Sequence, residues 1–259
     1  WDSEDLHLHD IKVLNPASSD NAELFFGPET DGVDIDSSRR VLLEDSTFHT
    51  GDDCVVLKSG KDAAGRAFGQ PTANVLIRNV TLEACSCLKH SSGGLHGGRH
   101  WYDGCGALKL GTEMSGGIAN VTLEDSRVVY AGAVLKMLSP KRRGGYIKNV
   151  TWQRISAQES GGLLWLQISG GSNLTEENAI VSDVSVLNVT LEKLSCRFRT
   201  ALRPQTDCEF AGVLDMNKRA PPVSVRMEGI VVREGAAGWS CSGPKLRLTA
   251  SSAGPPPAS

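Results

Sequence analysis

With 259 residues, 40% of them hydrophobic and 22% charged, the chain can bury a full core as one large domain or two small ones. A net charge of −3 argues against a nucleic-acid binder, and no apolar run reaches membrane-spanning length. The opening Trp1-Asp2-Ser3-Glu4-Asp5 is acidic and does not read as a signal peptide, so either a leader has been removed or the chain is a fragment.

The first element is Asp5-Leu6-His7-Leu8-His9, which alternates apolar and polar residues as a strand with one buried face does. The same pattern returns as Arg40-Val41-Leu42-Leu43-Glu44-Asp45-Ser46, Asn79-Val80-Thr81-Leu82-Glu83 and Asn120-Val121-Thr122-Leu123-Glu124-Asp125-Ser126. Further copies are Asn149-Val150-Thr151-Trp152-Gln153, Asn188-Val189-Thr190-Leu191-Glu192 and Ser224-Val225-Arg226-Met227-Glu228. A second unit, a glycine followed by a short apolar run, alternates with the first: Gly32-Val33, Cys54-Val55, Gly106-Ala107-Leu108, Gly132-Ala133-Val134, Gly162-Leu163-Leu164 and Gly212-Val213-Leu214. From Val33 the second unit recurs at steps of 22, 52, 26, 30 and 50 residues. The short steps fit one coil of a parallel β-helix. The two long ones fit coils with insertions around 86–104 and 196–211.

The expected fold is therefore all-β, a right-handed, single-stranded parallel β-helix over 1–249, with the Pro-rich 250–259 as a disordered tail. Each coil buries its inner face only by stacking on its neighbours, so Val121, Leu123, Leu57 and Leu110 should lie in apolar ladders. The chain begins inside a coil with no cap before Asp5, so N-terminal coils are expected to be missing.

Seven cysteines and five Asn-x-Ser/Thr sequons, at Asn79, Asn120, Asn149, Asn173 and Asn188, suggest a secreted glycoprotein with disulfides, extracellular or in a cell wall. Four of the sequons are the same Asn-Val-Thr unit, however, and that repetition has a purely structural reading.

The chemistry sits in 29–60. With the second units in register, Asp31 and Asp53 take the same slot on neighbouring strands, roughly 4.8 Å apart, with Asp52 beside them. Crowding of three carboxylates raises the proton affinity of at least one. This separates an acid from a base, as hydrolysis of a glycosidic bond requires. The same register puts Asp36, Lys58, Leu110 and Lys136 in one outward column, where Lys58 and Lys136 would hold an anionic substrate. Two other readings stand: Asp-Gly and Gly-Asp-Asp are ordinary turn sequences, and Asp31, Asp34, Asp36, Asp52 and Asp53 are hard oxygen ligands suited to calcium. The lysines in the patch weigh against calcium, so no metal and no cofactor are expected.

Four motifs then converge: Glu29-Thr30-Asp31-Gly32-Val33-Asp34-Ile35-Asp36-Ser37, Thr50-Gly51-Asp52-Asp53-Cys54 through Lys58-Ser59-Gly60, Gly111-Thr112-Glu113-Met114-Ser115-Gly116-Gly117, and Arg142-Arg143-Gly144-Gly145-Tyr146. Together, from about Leu6 to Ile168, they resemble the polygalacturonases of glycoside hydrolase family 28, most closely the bacterial and plant branch that includes exo-acting enzymes. The resemblance implies an inverting glycosidase, monomeric and without cofactor, cutting pectin or a related acidic polysaccharide. By motif, Asp52 would be the general acid, Asp31 and Asp53 would position and deprotonate the attacking water, and Lys136 would bind the substrate carboxylate.

Three positions depart from the family pattern. Glu29 stands for its asparagine, Val134 for its arginine, and Cys105-Gly106-Ala107 for its Gly-His-Gly region. His96 or His100, in the preceding insertion, are offered as substitutes for the histidine, and Arg142 or Arg143 for the lost charge. The resemblance also implies a Cys54–Cys105 disulfide, with Cys85 and Cys87 as rivals, and one further pair among Cys196, Cys208 and Cys241. A degenerate, non-catalytic β-helix and a pectate-lyase-type enzyme are the competing readings.

Overall fold

Two left-handed bends per coil shape the chain. Asn and Asp enter the left-handed backbone region more readily than other L-residues, and this sequence places them five residues apart, coil after coil. Asp5 and Asp10, Arg40 and Asp45, Asn74 and Asn79, Asn120 and Asp125, Asn149 and Arg154, and Asp183 and Asn188 all have φ between 49° and 57°. Each pair flanks a short extended run that turns its apolar residues inward. Asn79 and Asn188 lie at the second bend of their coils, whereas Asn120 and Asn149 lie at the first. The four Asn-Val-Thr units are therefore not equivalent, as the sequence repeat suggested. They mark two bends of the same kind, five residues out of phase. The first-bend amides also stack: Asn120 Nδ2 donates to Asn74 Oδ1 and Asn149 Nδ2 to Asn120 Oδ1, both at 2.9 Å.

The computed structural model describes residues 1–15, 30–84, 105–140, 143–168, 178–194, 210–216, 223–235, 238–242 and 246–251. Its elements in chain order are β1 (Glu4–His9), β2 (Lys12–Leu14), β3 (Val33–Asp36), β4 (Arg39–Glu44), β5 (Thr47–His49), β6 (Val55–Lys58), α1 (Asp62–Phe68), β7 (Thr72–Arg78), β8 (Thr81–Glu83) and β9 (Gly106–Leu110). They continue as β10 (Ile118–Ala131), β11 (Ala133–Ser139), β12 (Tyr146–Ser160), β13 (Leu164–Ile168), β14 (Ile180–Leu194), β15 (Phe210–Met216), β16 (Val223–Glu228), β17 (Val231–Glu234), β18 (Gly238–Ser242) and β19 (Leu246–Ser251). All pairings are parallel, and the chain is a right-handed parallel β-helix. Among the described residues, the first unit of the repeat builds a 12-stranded sheet with the path β1-β4-β7-β10-β12-β14-β16-β19 and β2, β5, β8 and β17 off that path, and the second builds a seven-stranded sheet, β18-β15-β13-β11-β9-β6-β3. β19 reaches Ser251, inside the segment expected to be unstructured.

Stacking of identical positions makes the core. Val41, Val75, Val121, Val150, Val184 and Val225 pair in succession across six strands, and none is more than 2% exposed. Leu43, Ile77, Leu123 and Trp152 form a second ladder beside them. On the other sheet Ile35, Leu57, Leu110, Met137 and Leu166 line up in the same way.

That last ladder corrects the column expected from sequence. Leu110 points inward, and Lys58 and Lys136 do not share a column: Asp36 pairs with Lys58, whereas Lys136 pairs with Lys109. The glycine of the second unit is not a register mark. Gly32 precedes its register residue Val33 by one position, Gly106 precedes Leu108 by two, and Gly132 precedes Leu135 by three. Bends between sheets vary in length, while inward apolar side chains set the pairing.

Truncating a ladder residue tests this core. Leu123→Ala, between Ile77 and Trp152, should cost about 2–5 kcal/mol, read from the shift in a urea-denaturation midpoint.

Candidate active site

Gly32 lets the two acidic turns close up. A Cβ there would lie 2.4 Å from the Cys54 carbonyl oxygen and 2.7 Å from the Phe48 ring. Its N–H donates to the Asp53 carbonyl, and that of Val33 to the Cys54 carbonyl, both at 3.0 Å. β3 and β6 then run in register from Val33–Val55 to Asp36–Lys58. The turns before them meet at one edge of the seven-stranded sheet, where one carboxylate oxygen each of Asp31, Asp52 and Asp53 lie within 4.8 Å of one another.

The three acids have different surroundings. Asp53 is 1% exposed; its Oδ1 accepts the Gly106 N–H at 2.5 Å, and its Oδ2 is paired with Lys109 Nζ. Asp52 is half-buried, and its Oδ1 accepts the N–H of Asp53 at 2.9 Å. Asp31 is half-buried, with Lys58 Nζ 3.5 Å from its Oδ2. That ammonium lies closer to Asp34, at 2.6 Å. Burial first, and then the charges of Asp53, Asp52 and Asp34, push the Asp31 carboxyl up to about 7, with Lys109 opposing. Burial works against the charged forms of Lys58 and Lys109, but nearby carboxylates outweigh it and both are raised: Asp34 foremost for Lys58, Asp53 foremost for Lys109.

Lys109 is the residue the sequence reading missed. It occupies the outward slot of β9, between inward Leu108 and Leu110, with Val56 on one side and Lys136 on the other. The signal was present in the alternation Ala107-Leu108-Lys109-Leu110, but the glycine-based alignment placed this strand one residue out. Lys136 is 6% exposed. Next in the same column is Trp165, half-buried, whose indole N–H has no hydrogen-bond partner.

The remaining candidates fall into two groups. His96, His100, Arg142 and Glu29 lie outside the described residues. Arg143 is committed elsewhere: it donates to the Thr112 carbonyl at 2.8 Å, pairs with Asp62 of α1 at 2.7 Å, and lies 3.8 Å from Glu113. It therefore ties α1 to the 111–117 loop and is not a substitute for the missing arginine, whose place is taken by fully buried Val134. Nor does the Cys54–Cys105 bridge form. Cys54 is a free, buried thiol that burial pushes up to about 12, and Cys105 is disulfide-bonded to another cysteine.

The calcium reading loses part of its ligand set. Asp36 turns away to accept from the Ser37 hydroxyl at 2.8 Å and the Gly60 N–H at 3.1 Å, and Asp34 is held by Lys58. Asp31, Asp52 and Asp53 remain close enough to share a cation, but Lys58 and Lys109 already bring positive charge to two of them.

Fold and site together define a parallel β-helix with a cluster of three carboxylates at one edge of its smaller sheet. The family model of the glycosyl hydrolases family 28 matches residues 1–252, and the chain belongs to that family. The match carries on past Ile168, where the resemblance in motifs fades. A probable polygalacturonase of Vitis vinifera is 30% identical over 171 residues, 66% of this chain and 30% of that protein. An endopolygalacturonase of Emericella nidulans is 26% identical over 192 residues, 73% of this chain and 41% of that protein. Among solved structures, a hyperthermoactive exopolygalacturonase from Thermotoga maritima superposes with a TM-score of 0.63 at 22% identity, over 96% of this chain and 46% of that one. The chain thus spans less than half the length of these relatives.

Asp31 makes stability depend on pH. Its folded-state value lies above the unfolded one, so the proton it keeps stabilises the fold below about pH 4, and that contribution is lost as pH rises through about 7. Asp31→Asn should raise the denaturation midpoint at pH 8 and give little or no gain at pH 4, as measured by urea titration at both values.

Proposed function

We propose that this chain carries the catalytic face of a hydrolase that cuts galacturonan or a related pectic polysaccharide, acting outside the cell or in a cell wall as a monomer. The observation that carries the reading is one juxtaposition: Asp31, Asp52 and Asp53 at the edge of a sheet whose next outward residues are Lys109 and Lys136. Carboxylates supply acid and base, and lysines answer a chain of uronate charges. The names of the relatives support the substrate class, and the solenoid fold supplies a long outward face.

Burial and the neighbouring carboxylates push the Asp31 carboxyl up to about 7, and a proton rests there in the free protein. Passing it to Asp52 leaves Asp31 ionised. Asp52 then protonates the glycosidic oxygen as the bond to the anomeric carbon breaks. Water attacks that carbon from the opposite face and gives its proton to Asp31, with Asp53 orienting the water. The cycle ends with the proton back on Asp31. The nearest oxygens of the three acids lie closer than the roughly 6.5–9.5 Å typical of inverting pairs. Family membership, not spacing, therefore supports the inverting assignment, and the anomer first formed, seen by proton NMR, checks it.

Reducing-sugar release from polygalacturonate is the direct assay. Asp52→Asn should lower it by roughly 10²–10⁴-fold. Saturable polysaccharide binding without any release, indifferent to Asp52→Asn, would instead assign a binding module. Ultraviolet-absorbing products abolished by a chelator would assign a lyase. Activity should also fall on the alkaline side, near pH 7, as the Asp31 proton is lost, which a kcat/KM profile from pH 4 to 9 reads.

A further inference from the structure

Lys109 stands where two demands meet. It neutralises Asp53, which is 1% exposed, yet its own side chain keeps 19% of its surface open. It is also in register with Lys136 on the adjacent strand, and two lysines facing outward side by side repel each other. At Lys109 that repulsion is offset by Asp53 foremost, with Asp31 and Asp52 adding to it. A carboxylate arriving over the two lysines would relieve it further, and the indole of Trp165, next in the column, presents a flat surface for the apolar face of a sugar ring. Val134 leaves no arginine on β11 to take this role.

We propose that Lys109 is a shared cation: it holds Asp53 in the free protein and moves onto a uronate carboxylate of the substrate when the polysaccharide binds along the Lys109–Lys136–Trp165 column. This rests on the proposed hydrolase reading for its substrate class and adds to it the residue that selects charged over neutral sugar. Releasing Asp53 as substrate arrives would free its Oδ2 to orient the attacking water, so charge recognition and readiness for attack are coupled through one ammonium group. The groups facing that ammonium are Asp53, Asp31 and Asp52 on the acid side and Lys136 on the other.

The test is calorimetric binding of trigalacturonate and of neutral galactotriose to the full chain, with Asp52→Asn in every variant to prevent turnover. Lys109→Met should weaken trigalacturonate binding by roughly tenfold or more and leave galactotriose unchanged, whereas Lys109→Arg should retain the preference for charge. Lys109→Gln combined with Asp53→Asn removes the buried counter-charge together with the lysine, which keeps the fold neutral at that point. If this double variant still binds trigalacturonate weakly, Lys109 touches the substrate. If its affinity returns to the parent value, Lys109 only neutralises Asp53 and the proposal is overturned. The two readings fail separately. Lys109-dependent binding without sugar release by the otherwise unaltered chain sinks the hydrolase and keeps the shared cation. Release with KM for polygalacturonate unmoved by Lys109→Met does the reverse. No binding of trigalacturonate at all overturns both.

Discussion

The structure depends on parallel pairing of each coil with the next. No coil has a core of its own, so the apolar residues of one are buried only by those above and below, and the valine ladder from Val41 to Val225 is the plainest form of that dependence. Ladder stacking demands that every coil bend at the same places. The left-handed residues five apart meet that demand, and Asn and Asp occupy most of these sites because their short polar side chains tolerate the conformation and can bond to one another across coils.

Regular stacking has a chemical consequence on the smaller sheet. Whatever precedes β3 and β6 is brought together at strand spacing, like charges included. Asp31, Asp52 and Asp53 would repel one another in solution; here the backbone bonds of Gly32, Val33 and Cys54 hold their turns in place. Lys109 opposes the crowding without cancelling it, and burial together with the neighbouring charges keeps the proton affinity of Asp31 raised.

Around the acids, the family pattern has been redistributed. The arginine position is a buried valine, Arg143 fastens α1 to the neighbouring loop, and Lys109 of β9 brings positive charge to Asp53. Cys54, directly after the acid pair, is a packed thiol and not half of a bridge.

Much of this was legible in the residues. Alternation in Asn120–Ser126 and its copies identified strands and their inner face, recurrence identified the coil, and Asp31 and Asp53 were matched because both sit two residues before the valine that begins their strand. Three features were not legible. The Asn-Val-Thr units look identical in sequence but serve two different bends, since any left-handed bend selects the same residue type. The Cys54–Cys105 pairing could not be decided by spacing, because a disulfide depends on where each coil places its thiol, even on neighbouring coils. Lys109 escaped notice because Gly106 stands two residues before its register residue and Gly32 only one, and a one-residue slip moves a side chain to the opposite face. By itself the sequence determined the solenoid, its inner ladders and the meeting of three acids, since these follow from local periodicity. Which cations share the face with those acids was decided only by tertiary structure, because coil-to-coil register is set by the packing of inward side chains and not by the chain's own spacing.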